Sequence, residues 1–312
     1  MDQWDLPRPR EVVRTAFGMS NETYFVTSAA GAHVLRVYIA KSLAAIRFEH
    51  EVLRRLADAD LPFRIPRPLP DLRGDTVALD IDTARHCALF ERIPGETLDD
   101  ADAASVARAA QAFARLDTAL AAIERTDLPS TAFGGDLRAV HPAITDVRQL
   151  DDLTGRPARE MAERVAEVAG PIYASLPMQL IHGDFGFGNV LVRAGRVRGI
   201  VDFEYAGRDV RAMELAAGLS SVIARPAGDA LWRPLLRGYL ETLRLDATEL
   251  AALPALAVLH WAVIVAWWAG RSVEGHAFPD GLAVLADRAL GVERWMTAHG
   301  RELVAEALRA SS

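Results

Sequence analysis

Residues 180–192 read LIHGDFGFGNVLV, and residues 198–207 read RGIVDFEYAG. Together they set three oxygen-bearing side chains, Asp184, Asn189 and Asp202, around one expected hairpin. If Ala194 and Gly195 form a two-residue turn, Arg193 pairs with Arg196, Val192 with Val197, and Asn189 falls opposite Ile200. Asp202 then lies on the diagonal from Asn189. Such a diagonal spans about 7–8 Å between backbones, so two side chains can reach one magnesium ion whose bonds to oxygen are about 2.1 Å.

Two ligands are too few for an all-protein cage, but they suit magnesium that arrives with a nucleotide and keeps phosphate and water as its other ligands. Asp184 precedes Asn189 by five residues, the interval at which phosphoryl-transfer enzymes set a base beside a metal ligand. A carboxylate there accepts the proton of an acceptor hydroxyl, a contribution of about 10²–10⁴-fold, while positioning and charge neutralisation supply the larger share. The bland alternative is that all three residues only shape turns, as Asp and Asn often do. Their joint spacing around one hairpin favours the chemical reading.

Outward from this segment the texture of the chain changes. Up to residue 93 it has strand-like pieces at 23–28, 32–39, 75–81 and 86–93, with Gly31 closing a short connection between the first two. Residues 43–57 repeat apolar positions at helical spacing. After IPGET (93–97) the pattern is helical over 103–123, 157–176, 210–223, 232–243, 248–268 and, in pieces, 281–308, interrupted by a β insert between Met178 and Phe203. The expectation is an α+β, bilobal protein: a small β-rich N-terminal lobe, 1–93, and a larger helical lobe, 94–312, that keeps the hairpin. The cleft between such lobes is the expected ligand site.

HGDFGFGN followed by IVDFEYAG resembles the aminoglycoside phosphotransferase and type II homoserine kinase family, relatives of the choline kinases. The resemblance covers most of the chain: GMSNETYFVTSAAGAHVLRVY is similar to that family's nucleotide-covering hairpin and ALFERIPGETL to its connector. It implies a protein-kinase-like fold, with Asp184 as catalytic base, Asn189 and Asp202 as magnesium ligands, and His182 and Gly183 supporting the catalytic loop. It also implies ATP, or GTP, as phosphate donor. A noncatalytic nucleotide-binding pseudokinase is the alternative.

In the first hairpin, Gly18, Ser20 and Asn21 are placed to approach phosphates through backbone amides, without a full glycine fingerprint. Arg36 stands on the second strand where kinases place a phosphate-binding lysine, a nonconservative departure that keeps the charge. The alternative for Arg36 is an ordinary surface arginine. Glu49 falls on the apolar face of the following helix, which makes it the expected partner of Arg36, whereas Glu51 points elsewhere. Backbone groups from Glu91 to Ile93 are the expected contacts of the nucleotide base if the connector serves as in relatives. Glu214, twelve residues after Asp202, reads as a structural acid.

Composition narrows the rest. The chain has 312 residues, 51% hydrophobic and 25% charged, which excludes disorder and a disulfide miniprotein. A formal charge of -7 disfavours tracking of a nucleic-acid backbone. Cys87 is the single cysteine, and the N-terminus lacks the pattern of an export signal, so a cytoplasmic protein is expected. The apolar run at 253–270 is of membrane-span length, but it contains Pro254 and His260 and reads better as a buried helix than as a membrane anchor. A helical run begins soon after Asp202 and leaves no platform for a peptide, so the expected acceptor is a small hydroxylated molecule: homoserine, another amino alcohol, an aminoglycoside or a nucleoside antibiotic. Trp261, Trp267 and Trp268 could offer cation–π faces to an amine, although tryptophans in an apolar helix are more often core.

Overall fold

The computed structural model describes residues 2–15, 21–39, 41–98, 102–123, 136–226, 228–276, 278 and 280–311. The chain divides into two compact units: Met1–Thr97 with Val190–Glu204, and Leu98–Asn189 with Tyr205–Ser312.

The first unit opens with β1 (Glu11–Arg14), β2 (Asn21–Ser28) and β3 (Gly31–Tyr38), followed by α1 (Leu43–Leu56). Then come β4 (Pro68–Leu69), β5 (Ala78–Asp80), β6 (Arg85–Glu91) and β7 (Glu96–Thr97). Antiparallel pairing gives a sheet in the order β1-β2-β3-β6-β4, with β5 also on β6. The β2–β3 turn is made by Ala29 and Ala30, since Ser28 pairs with Gly31, whose φ of +126° suits glycine. Ser42 caps α1 by accepting the Ala45 N–H at 3.2 Å, and Arg54 and Arg55 complement the dipole in its last turn. The helix buries Ile46, Glu49, His50, Leu53 and Leu56 at spacings of three and four residues. Each fully buried aliphatic side chain here contributes about 1.5–3 kcal/mol. Trp4, Ala78, Cys87 and Leu89 form a smaller core elsewhere in the same unit.

The chain then enters the second unit through α2 (Ala103–Ala121), α3 (Gln149–Thr154), α4 (Ala158–Ser175) and β8 (Met178–Ile181). It returns to the first with β9 (Val190–Arg193) and β10 (Arg196–Ile200). This hairpin, which the sequence reading kept with the helical lobe, is tied to the first unit by β7 pairing on β9 and by Arg64, whose carbonyl accepts the Ile200 N–H at 3.1 Å. Ala194 and Gly195 form the expected turn, with φ of +51° and +71°. Val197 pairs with Val192 as expected, but the register then shifts, and Ile200 pairs with Val190 rather than Asn189. The extra residue is a bulge at Arg198, whose carbonyl accepts the Arg64 N–H at 2.9 Å. Beside it only glycine fits at 199, because a Cβ there would stand 2.8 Å from Ile93 Cγ2 and 3.1 Å from the Arg64 carbonyl oxygen.

The second unit resumes with β11 (Gly207–Val210), α5 (Ala212–Ile223), α6 (Gly228–Leu240), α7 (Ala247–Val273) and α8 (Leu282–Ala310). β8 pairs with β11 and not with the hairpin, so the expected β insert is split between two sheets. A capping box of Asp246 and Glu249 starts α7, which is long and apolar enough to cross a membrane. Yet 67% of its most apolar window is buried among α4, α5 and α8, which is the core-helix role expected for it. α8 is continuous where broken pieces were expected. Gly291 and Gly300 each cost about 1 kcal/mol relative to alanine, but the buried stripe of Leu285, Ala289, Val292, Met296, Leu303 and Ala307 runs through them. Gly300 also lets Pro254 of α7 approach, since a Cβ there would sit 3.2 Å from the proline ring.

Candidate active site

In the helical unit, the segment after β8 is held from several sides. His182 is fully buried, and its Nδ1 accepts the Asp184 N–H at 3.3 Å, which places the ring proton of the neutral tautomer on Nε2. Phe113 of α2 meets the His182 ring edge-on at 5.3 Å and stacks on Phe185 at 3.8 Å. Gly183 has φ of +80°, and a Cβ on it would lie 2.5 Å from the Tyr205 carbonyl oxygen, so the HGD sequence needs glycine for both conformation and space. Its N–H donates to Glu214 Oε2 at 2.9 Å.

Glu214 is therefore the structural acid expected from the sequence, and it acts on the loop. Burial pushes its carboxyl up to about 8, against the Gly183 and His182 amides, which pull it down. Phe185 fits where α5 carries Gly218, whose Cβ would otherwise meet the ring at 2.5 Å. Within this frame the Asn189 side-chain amide donates to the Asp184 carbonyl at 2.9 Å and to Asp184 Oδ2 at 2.8 Å. Asp184 and Asn189 thus come together, with the Asn189 Oδ1 lone pairs turned away from that contact.

In the sheet unit, Arg36 projects from β3 into a polar cluster. Its Nη1 donates to Glu49 Oε1 at 3.0 Å and its Nη2 to Asp202 Oδ1 at 3.1 Å. The Glu49 side chain is 3% exposed and that of Asp202 is 32% exposed. Burial alone pulls the Arg36 guanidinium down, but Asp202 and then Glu49 reverse this and raise it above its ordinary value. Glu49 is raised, chiefly by burial and against the pull of Arg36. The pairing of Arg36 with Glu49 is the one expected from the face of α1, and its link to Asp202 is an addition. Asp202 adopts a left-handed φ of +71°, which Asp tolerates better than most residues.

Sequence reasoning missed two members of this cluster. Glu204 accepts from Asn21 Nδ2 at 2.7 Å, and Lys41 donates to the Glu204 carbonyl and lies 3.6 Å from its carboxylate. Lys41 follows β3 rather than lying on it, so strand alternation could not select it. Glu204 has only its nearness to Asp202 as a signal. Asn21 Oδ1 is buried without a partner. Of the hairpin candidates, Gly18 and Ser20 lie outside the described residues.

The connector candidates separate. Glu91 donates its N–H to the Arg67 carbonyl at 3.2 Å, so that N–H is not left for a nucleotide base, and its carboxylate accepts from Arg64 Nη2 at 2.7 Å. Arg92 likewise donates its N–H to Ala32. Ile93, buried against Gly199, makes no backbone hydrogen bond among the described residues.

Each unit carries one of the two expected oxygen donors. Among the described residues no three His, Cys, Asp or Glu side chains gather as a ready metal cage. Asn189 and Asp202 offer hard oxygen donors, and the amide nitrogen of Asn189 is occupied by Asp184, which orients its oxygen outward.

A helical unit with a braced Asp–Asn loop, and a sheet unit with an Arg–Glu ion pair bonded to a second Asp, define a phosphotransferase with a kinase-like fold. The match to known proteins makes this specific. The chain belongs to the phosphotransferase enzyme family, whose sequence model matches residues 11–255. It is a small-molecule kinase of the aminoglycoside phosphotransferase and homoserine kinase group. It is 26% identical over 310 residues to a homoserine kinase of Phenylobacterium zucineum, covering 95% of this chain and 90% of the relative. Among solved structures it is similar to the amicoumacin kinase hAmiN, with a TM-score of 0.72, 17% identity and coverage of 94% and 91%. A microcompartment-associated aminopropanol kinase gives a TM-score of 0.69 at 20% identity, covering 99% of this chain and 97% of that one.

Proposed function

We propose that the protein transfers the γ-phosphoryl group of ATP, or GTP, to a hydroxyl of a small amine-bearing molecule such as homoserine or another amino alcohol, with an aminoglycoside or nucleoside antibiotic as larger candidates. The observation that carries this reading is the bond from Asn189 to Asp184, which holds a carboxylate and an amide side by side on a buried, glycine-dependent loop. Asp184 takes the hydroxyl proton as the acceptor oxygen bonds to the γ-phosphorus. The bond to the bridging oxygen breaks, and the nucleoside diphosphate leaves with that electron pair. Asn189 Oδ1 and Asp202 would hold magnesium, which when bound neutralises phosphate charge. Arg36, fixed by Glu49 and Asp202, supplies a cation to the donor phosphates; the Ile93 amide serves the nucleobase, and Asn21 serves the covering hairpin. A cytoplasmic setting, where such donors are abundant, belongs to the same proposal.

The noncatalytic alternative was suggested by arginine at position 36. The ion pair of Arg36 with Glu49 supports the catalytic reading over this alternative. The test is a coupled assay of diphosphate release over homoserine, amino alcohols, aminoglycosides and nucleosides with each donor. Asp184→Asn should remove turnover by about 10²–10⁴-fold while calorimetry still shows nucleotide binding. Full activity in that variant would falsify the assignment of the base.

A further inference from the structure

Of the 35 lysine and arginine residues in the chain, 34 are arginine, and the one lysine is Lys41. Exposed ion pairs in both units are accordingly made by arginine, as in Arg47 with Asp75 and Arg164 with Glu293. Lys41 differs in place as well as in kind. Its side chain is 19% exposed, and it stands one residue before Ser42, whose capping bond from the Ala45 N–H pins the start of α1. From there its ammonium enters the polar cluster of the sheet unit and donates to the Glu204 carbonyl. Glu204 Oε2 is 3.6 Å away, beyond hydrogen-bond length. The same ammonium also favours the charged form of Glu49, which places it within reach of both acids.

The Glu204 oxygen that faces Lys41 also accepts from Asn21 Nδ2 at 2.7 Å, and Asn21 opens β2. Two residues before Glu204 is Asp202, the expected magnesium ligand. Lys41 thus stands where the base of the covering hairpin meets the metal segment. Arg36, the other cation of the cluster, has both ends of its fork committed, Nη1 to Glu49 and Nη2 to Asp202. A planar guanidinium held by two carboxylates fixes them in place but is poorly suited to follow a phosphate chain. A compact ammonium on a flexible stem is a point charge that turns from one acceptor to another. These two cations face three carboxylates, Glu49, Asp202 and Glu204, so the polyphosphate of a magnesium nucleotide needs every positive charge the cluster holds.

We infer that Lys41 is the donor-contacting lysine of this enzyme: its ammonium swings from the Glu204 carbonyl to oxygen atoms of the nucleotide polyphosphate, while Arg36 holds Glu49 and Asp202 in position. The inference rests on the proposed phosphoryl transfer and assigns, within it, the side chain that grips the donor. In protein kinases a single strand lysine both pairs with the helix glutamate and meets the phosphates. Here Arg36 does the first and Lys41 the second. The division also gives a reason for lysine at this one position. An arginine fork beside Glu204 matches its carboxylate as a bidentate pair and would stay bound to it.

The test uses the whole chain, in which Lys41 is the one amine besides the α-amino group. An acyl phosphate of ATP therefore reports on it directly. The lysine nitrogen attacks the acyl carbon, the bond from that carbon to the phosphate oxygen breaks, ATP leaves with the electron pair, and the ammonium proton goes to water. With magnesium present, mass spectrometry should find the acyl group on Lys41, and excess ATP should suppress the labelling at least about tenfold. Lys41→Met should weaken binding of magnesium ATP in calorimetry by about ten- to a hundredfold and raise the KM for ATP to match, with the KM of the acceptor changed less than about twofold. Lys41→Arg, which keeps the charge, should recover only part of that loss. Urea midpoints identify a variant that fails to fold, and labelling of the unaltered protein needs no variant. Lys41 unlabelled, or labelled without protection by ATP, or nucleotide affinity unchanged in folded Lys41→Met, would overturn the assignment and leave the kinase reading standing. Absence of magnesium ATP binding together with absence of turnover on every acceptor would overturn the kinase reading itself.

Discussion

Replacing Arg36 with methionine should destabilise the sheet unit strongly and in a pH-dependent way. Arg36 is the cation facing Glu49, which is 3% exposed and already has one oxygen, Oε2, buried without a partner. Removing one member of a buried pair leaves an uncompensated charge and costs about 3–5 kcal/mol. Asp202, 32% exposed, loses the same partner but is screened by water and adds little. Without Arg36 only the weaker pull of Lys41 still favours the charged form, so Glu49 tends to take up a proton. Its folded value, already raised by burial, rises further, so the folded state binds a proton that the unfolded state releases near the ordinary glutamate value of about 4.3. The penalty is therefore small below that value and grows as pH rises toward the folded value. At pH 8 the variant should lose about 1–3 M in urea midpoint, with a much smaller loss at pH 4.5. The double variant Arg36→Met with Glu49→Leu should regain most of it, since apolar packing replaces both charges. A loss at pH 8 below about 1 kcal/mol, or no recovery in the double variant, would refute the buried-pair argument.

Three other outcomes test the loop and its surroundings. Glu214, raised to about 8 by burial, makes stability fall as pH climbs from the unfolded glutamate value to about 8; Glu214→Gln, which still accepts the Gly183 N–H, should flatten urea midpoints across pH 5–8. Gly218→Ala pushes a Cβ into Phe185, one residue from Asp184, and should cost about 1–3 kcal/mol together with a fall in kcat that thermal unfolding and steady-state assays measure side by side. Chelation should stop turnover and added magnesium restore it, with Asn189→Ala needing more magnesium for half-maximal rate; an unshifted magnesium dependence would remove Asn189 from the metal site.

What the sequence could disclose was local. The HGD and DFE segments, the Ala194–Gly195 turn and the helix periodicities rest on neighbouring residues, and so does the face of α1 that carries Glu49. What it could not disclose depends on distant backbone. The bulge at Arg198 is set by Arg64, from more than a hundred residues earlier, and by the crowding of Gly199 against Ile93. The pairing of β8 with β11 brings the charged GRDV stretch into a strand, which its composition does not advertise. Lys41 and Glu204 meet only because the hairpin and its following turn join the first unit. Continuity of α8 across two glycines likewise follows from packing on α7 rather than from propensity.

The discontinuity of the sheet unit bears on how the protein is made. Its N-terminal strands leave the ribosome first, but β9 and β10 belong to it and end at Ile200, with the unit closing at Glu204. A nascent chain stalled near residue 97 therefore exposes β7 with no strand to pair, and the unit is complete only once the chain has been made through Glu204. At about 5–20 residues per second this interval lasts several seconds, a window in which the unfinished sheet edge is open to chaperones or to misassembly.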